Sequence, residues 1–122
     1  MPDPIMIDDP EPQRYYDWML WKMRQEDKAE KLKSETHKKE IVDQLMYVTA
    51  EECGELVQSC MKIARWGIDD DKRNTLVEEA GDVYCMLQLL IKNGVLTQEE
   101  LDTRAAVKVE KLKRYTPVIV KE

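Results

Sequence analysis

At 122 residues, with 43% hydrophobic and 36% charged residues, no Phe and four Gly, the chain suits one domain with a modest core and favours helices over sheets. A formal net charge of −6 and a pI near 4.9 exclude an overall basic footprint for nucleic acid. No apolar run approaches the roughly 20 residues that span a bilayer. An acidic protein of this kind that handles phosphates needs metal ions or a local cationic patch.

Residues 1–12 hold Pro2, Pro4, Pro10 and Pro12 among acids, which predicts an extended or disordered arm. With no basic n-region followed by an apolar h-region, this arm does not read as a secretory signal. Residues 13–122 read as a single all-α domain. The first helical pattern, 13–34, places Tyr16, Met19, Leu20 and Met23 on one side, with Tyr15, Trp18 and Trp21 adding aromatic bulk. That cluster either packs on other helices or a second subunit, or offers a stacking surface for a planar base. Residues 35–40 are polar and read as a turn or helix start with Thr36 as cap; His37 lies there as a surface residue rather than a ligand.

The second helix, about 38–65, ends at Trp66-Gly67, where Gly67 suits the left-handed position after a helix. Asp69, Asp70 and Asp71 do not form a calcium loop, because Asn74 stands where that loop needs Gly and Ala80 where it needs a bidentate Glu. They read instead as a loop and helix N-terminus, where the dipole favours acids. A third helix spans about 72–92 and stops at Asn93-Gly94. Thr97 to Glu100 forms a capping box that opens a fourth helix to about Tyr115, followed by the apolar tail Val118-Ile119-Val120, as an edge segment or docked on a neighbour. Cys53, Cys60 and Cys85 are odd in number and lack C-x-x-C spacing, which predicts buried free thiols in a reducing cytoplasm.

Two helices carry acids where apolar residues belong. At about 100° per residue, Glu52 projects with Ile41, Leu45, Val48 and Ile63, with Glu55 roughly 60° to one side and Glu51 on the outer edge. On the third helix Glu79 projects with Val83, Met86 and Leu90, and Asp82 flanks it by roughly 60°. Glu78 points away, and Gly81 leaves space beside the acids. Packed antiparallel, these faces would bring Glu52, Glu55, Glu79 and Asp82 together. Four such carboxylates repel one another strongly in a low dielectric. They are relieved by Lys and Arg from other helices, by solvent, or by a divalent ion. Two pairs with matched spacing favour the ion, and oxygen-only ligands favour Mg²⁺, with Mn²⁺ as a substitute. A di-iron bundle needs Glu-x-x-His pairs, and His37 is the one histidine.

Glu51-Glu52-Cys53-Gly54-Glu55 followed by Glu79-Ala80-Gly81-Asp82 resembles the E-E-x-x-E … E-x-x-D signature of the MazG-like all-α nucleoside triphosphate pyrophosphohydrolases. Arg65 to Asp69 and Asn74 to Asp82 are most similar to the small single-domain versions of phages and bacteria, and the resemblance covers roughly residues 38–115. It implies an antiparallel four-helix bundle assembled into a homodimer or homotetramer. It also implies Mg²⁺ held by Glu52, Glu55, Glu79 and Asp82, with Glu51 holding a further ion or orienting water. The implied reaction splits the α–β bond of a nucleotide triphosphate, giving a monophosphate and pyrophosphate.

By the same resemblance Lys108, Lys111 and Arg114 on the last helix would meet the phosphates, although Lys108 stands where the family tends to have Asn. Lys62 and Arg65 are further phosphate candidates, and Trp18, Trp21 and Trp66 are candidates for stacking on the base. The expected partner is a nucleotide, in the cytoplasm, with neither nucleic acid nor membrane. Alternatives are a relative acting on an alarmone or phosphoribosyl-ATP, and a non-catalytic helical interaction module.

Overall fold

A computed structural model describes residues 12–120; the predicted N-terminal arm lies outside the described residues except for Pro12. Every regular element among the described residues is helical. Helix α1 spans Pro12–Trp66, α2 spans Asp70–Lys92, α3 spans Gln98–Tyr115, and a 3-10 turn covers Pro117–Ile119.

The predicted break at 35–40 is absent, so α1 takes the place of two expected helices. The sequence from Gln13 to Cys53 contains neither Gly nor Pro, and the Lys, Glu, Gln, Ala and Leu that dominate its middle are good helix formers. Thr36 caps nothing. Its hydroxyl donates to the Leu32 carbonyl at 2.9 Å, the bond back to the preceding turn that mid-helix threonines make. Polarity alone does not break a helix.

The other boundaries follow local chemistry. Gly67 takes φ +82° and donates to the Ile63 carbonyl at 2.8 Å. Asp69 caps α2, two residues earlier than the sequence suggests, and Asp70 and Asp71 occupy its first turn. Gly94, at φ +75°, turns the chain out of α2. Thr97 and Glu100 form the predicted capping box: the Glu100 amide donates to the Thr97 hydroxyl at 3.1 Å, and the Thr97 amide donates to the Glu100 carboxylate at 3.0 Å. The apolar tail enters the 3-10 turn, with Val118 and Ile119 exposed.

The chain divides into two units, Met1–Ile41 and Val42–Glu122. In the first, the described part of α1 is exposed along nearly its whole length. Tyr15 contacts Tyr16 and Trp18 at ring-centroid distances of 6.4 and 6.1 Å, and the Lys22 ammonium lies 5.1 Å from the Trp18 ring. In the second unit the end of α1 runs antiparallel to α2. Glu52 approaches Glu79 and Asp82, while Ser59 and Lys62 share a pocket with Asp71, Lys72 and Thr75. Its buried apolar residues are Leu45, Met86 and Leu90.

Large apolar side chains stay exposed on the flank of both helices, among them Met46, Val57, Met61, Val77 and Tyr84. The thiols predicted to be buried are exposed and free. Cys53 and Cys60 sit about 60–80° round the helix from the packed stripe, on that same flank.

Candidate metal centre

Glu52 reaches the α1–α2 seam because it shares the helical phase of Leu45 and Ile63, and Glu79 because it shares that of Met86 and Leu90. In the folded unit Glu52, Glu79 and Asp82 each present a carboxylate oxygen, and these oxygens all lie within 4.8 Å of one another. Glu52 and Glu79 are half-buried and Asp82 is exposed. Glu55 lies outside this group and is exposed, but its charge acts on both Glu52 and Glu79. Glu51 is exposed on the outer edge.

The fold does not neutralise this cluster. Loss of water pushes the Glu52 carboxyl above its ordinary range, and the charges of Asp82 and Glu79 push it further, as do a hydrogen bond with Asp82 and the charge of Glu55. Glu79 is raised in the same way, first by loss of water and then by Glu55, Asp82 and Glu78. Lys62 pulls it in the opposite direction, and is the one cation among these leading influences. The donor set is all oxygen, carries an excess of negative charge and has ligand-scale spacing. Those properties fit a hard divalent cation.

The structure separates the remaining candidates. Lys62 and Arg65 line a groove of about 220 Å³ with Gln58, Met61 and Trp66, and the Arg65 guanidinium lies 6.0 Å from the Trp66 ring. Lys62 also lines the pocket on the α2 side. Lys108, Lys111 and Arg114 are exposed on α3, and none is among the leading influences on Glu52 or Glu79. Trp18 and Trp21 belong to the first unit and the acids to the second.

Gly81 opens onto free space, since a Cβ there would have no neighbour within 4 Å. It therefore makes no room between the helices, as the sequence had suggested. Two hydroxyls escaped sequence reasoning. The Thr49 hydroxyl, one turn before Glu52, is buried without a hydrogen-bond partner, and Ser59 is 5% exposed. A small polar residue recurring in an otherwise apolar stripe was their signal. No family model matches this chain, and no curated protein or solved structure is significantly similar to it.

Proposed function

We propose that this chain is a Mg²⁺-dependent nucleoside triphosphate pyrophosphohydrolase that cleaves the α–β bond to give a monophosphate and pyrophosphate. The observation that carries the reading is the convergence of Glu52, Glu79 and Asp82 within 4.8 Å, with Glu52 and Glu79 both raised by crowding and lost hydration. These residues, with Glu55, would hold the ion. When bound, it would neutralise phosphate charge and lower the pKa of water. The chain's own part is positional: Glu51, exposed at the outer edge, would hold a further ion or orient water, and Lys62 brings positive charge beside the acids. Among the described residues no Gly-rich phosphate loop or hydrogen-bonded Ser–His pair offers another route, and phosphoryl chemistry depends chiefly on charge and positioning.

The test is pyrophosphate release from a panel of ribo- and deoxynucleoside triphosphates, including modified bases, with Mg²⁺, with Mn²⁺ and with chelator. The expected result is turnover of at least one triphosphate that chelator abolishes. Release from none of them would return the acids to a structural role, in keeping with a helical interaction module.

The same reading includes a homo-oligomer, and a second apolar stripe supports it. On α1, Met46, Ala50, Cys53, Val57, Cys60 and Ala64 recur at alternating steps of four and three residues. On α2, Val77, Ala80, Tyr84, Leu87 and Ile91 do the same. Such seams pack knobs into holes, yet Val57 is 60% and Tyr84 63% exposed. A second copy would supply two matching helices and complete a four-helix layer. Val57→Lys is expected to convert the oligomer to monomer in light scattering, and an unchanged mass would remove this seam from the interface.

A further inference from the structure

Thr49 lies on α1 one turn after Leu45 and one turn before Glu52. Its hydroxyl is the one buried side-chain nitrogen or oxygen among the described residues that has no hydrogen-bond partner. A polar group taken from water without a partner is costly and uncommon. Inside their helices, Thr36 and Thr75 avoid that cost by donating one turn back, to the Leu32 and Asp71 carbonyls at 2.9 and 3.1 Å. The matching acceptor for Thr49 is the Leu45 carbonyl, and that bond is not made. This donor is left for an acceptor outside its own backbone turn.

Glu52 is the acceptor in reach. Side chains three residues apart on a helix are neighbours, with Cβ atoms about 5–6 Å apart. A long helical side chain also leans toward the N-terminus, which brings the Glu52 carboxylate toward the turn that holds Thr49. Thr49 is the one Ser or Thr from Val48 to Leu56. In helical phase it stands about 60° from Glu52, on the side opposite Glu55. Glu52 gives one oxygen to the cluster with Glu79 and Asp82, and its second oxygen has lone pairs of its own. The neighbouring acids are acceptors when ionised and have no proton to offer it. Carboxylates that ligate metals are themselves held by hydrogen bonds from outer partners, which fix their orientation.

We infer that Thr49 is a positioning residue of the metal centre: with a divalent cation on Glu52, Glu79 and Asp82, its hydroxyl donates to the Glu52 oxygen that the ion leaves free. The inference rests on the metal-dependent hydrolase reading of the acid cluster. It gives the orphaned hydroxyl a partner by rotation of two side chains, and it confines Glu52 to one orientation.

The experiment is calorimetric titration with Mg²⁺, with melting curves in Mg²⁺ and in chelator and the pyrophosphate-release assay run on the same proteins. Thr49→Val exchanges the hydroxyl for a methyl and is expected to weaken Mg²⁺ binding about tenfold. Thr49→Ser is expected to restore it, and Thr49→Ala repeats the loss without a branched side chain. The metal-free melting temperature of Thr49→Val should hold or rise, because an unpaired polar group has been removed. A hydroxyl bonded inside the fold would lower it instead, and that outcome, with no rescue of Mg²⁺ affinity by serine, overturns the inference. Unchanged Mg²⁺ affinity in both Thr49→Val and Thr49→Ala also overturns it, and with pyrophosphate release intact the hydrolase reading stands. Thr49-dependent Mg²⁺ binding by a protein that turns over no nucleotide overturns the hydrolase reading and keeps Thr49 as the support of a metal site.

Discussion

The second unit holds two groups of acids that the fold treats in opposite ways. At the start of α2, the Asp69 carboxylate accepts from the Lys72 backbone amide at 2.8 Å and from the Lys72 ammonium at 2.6 Å. These bonds hold its pKa below the ordinary range. Midway along the α1–α2 seam, Glu52 and Glu79 are pushed above theirs by lost hydration and by one another's neighbours. Asp69 is thus an acid whose charge the fold uses, to cap a helix and bind a lysine. Glu52 and Glu79 carry charge that the fold gathers and leaves unbalanced. The direction of the shift separates an acid that the fold pairs from acids that it crowds.

The largest effect should come from breaking that contrast at one carboxylate. Glu79→Gln keeps the shape of the side chain and removes its charge, so pyrophosphate release is expected to fall by at least about a thousandfold. The same change should raise the metal-free melting temperature, because it removes a repulsion present only in the folded state. Asp69→Ala should do the reverse for stability, lowering the melting temperature by a few degrees while the rise on adding Mg²⁺ persists. Full activity in Glu79→Gln would place the chemistry elsewhere.

How much of this was legible in the sequence depends on how local each feature is. Gly67, Gly94 and the Thr97/Glu100 box were readable because a few consecutive residues fix them. The inward phase of Glu52 and Glu79 was readable because each shares the 100° periodicity of apolar residues repeated over several turns of one helix. Residues 35–40 were misjudged because they hold polar residues but no breaker. Glu55, though paired with Glu52 in phase, stays outside the triad, since helical phase does not fix how far a side chain reaches. The Ser59 pocket depends on the α1–α2 register, which no single stretch contains. The cysteines read as buried because free thiols usually are, but which face of a helix is covered depends on packing, and Cys53, Cys60 and Cys85 are exposed.

Titration sharpens the contrast at smaller amplitude. Glu52 and Glu79 have ordinary values of 4.5 and are raised in the fold. Above that value the folded state binds more protons than the unfolded one, so stability falls as pH rises through the folded-state values. Asp69, lowered from 3.8, has the opposite sign: its contribution is present above 3.8 and is lost as pH falls through its folded value. The metal-free melting temperature should therefore peak in mild acid and decline toward neutrality. Mg²⁺ should remove the decline, adding about 2.7 kcal/mol at a hundredfold excess over Kd. A metal-free melting temperature that climbs from about pH 5 to about pH 7 would mean that the acids are neutralised within the chain.

The smallest effect concerns the glycines beside the two groups of acids. Gly67, just before the Asp69 cap, has φ +82°, a region that costs other residues about 1–2 kcal/mol. Gly67→Ala should therefore destabilise. Gly81, between Glu79 and Asp82, lies inside a helix with nothing within 4 Å of a Cβ. There a glycine is about 0.5–1 kcal/mol worse than alanine, so Gly81→Ala should stabilise by that amount in denaturant unfolding, provided the space is solvent. If a second chain fills it, the sign reverses, because the added methyl meets a packed neighbour and the oligomer weakens. Running the titration at two protein concentrations separates these cases: a loss that deepens on dilution belongs to an interface, and a gain independent of concentration belongs to an open helix face.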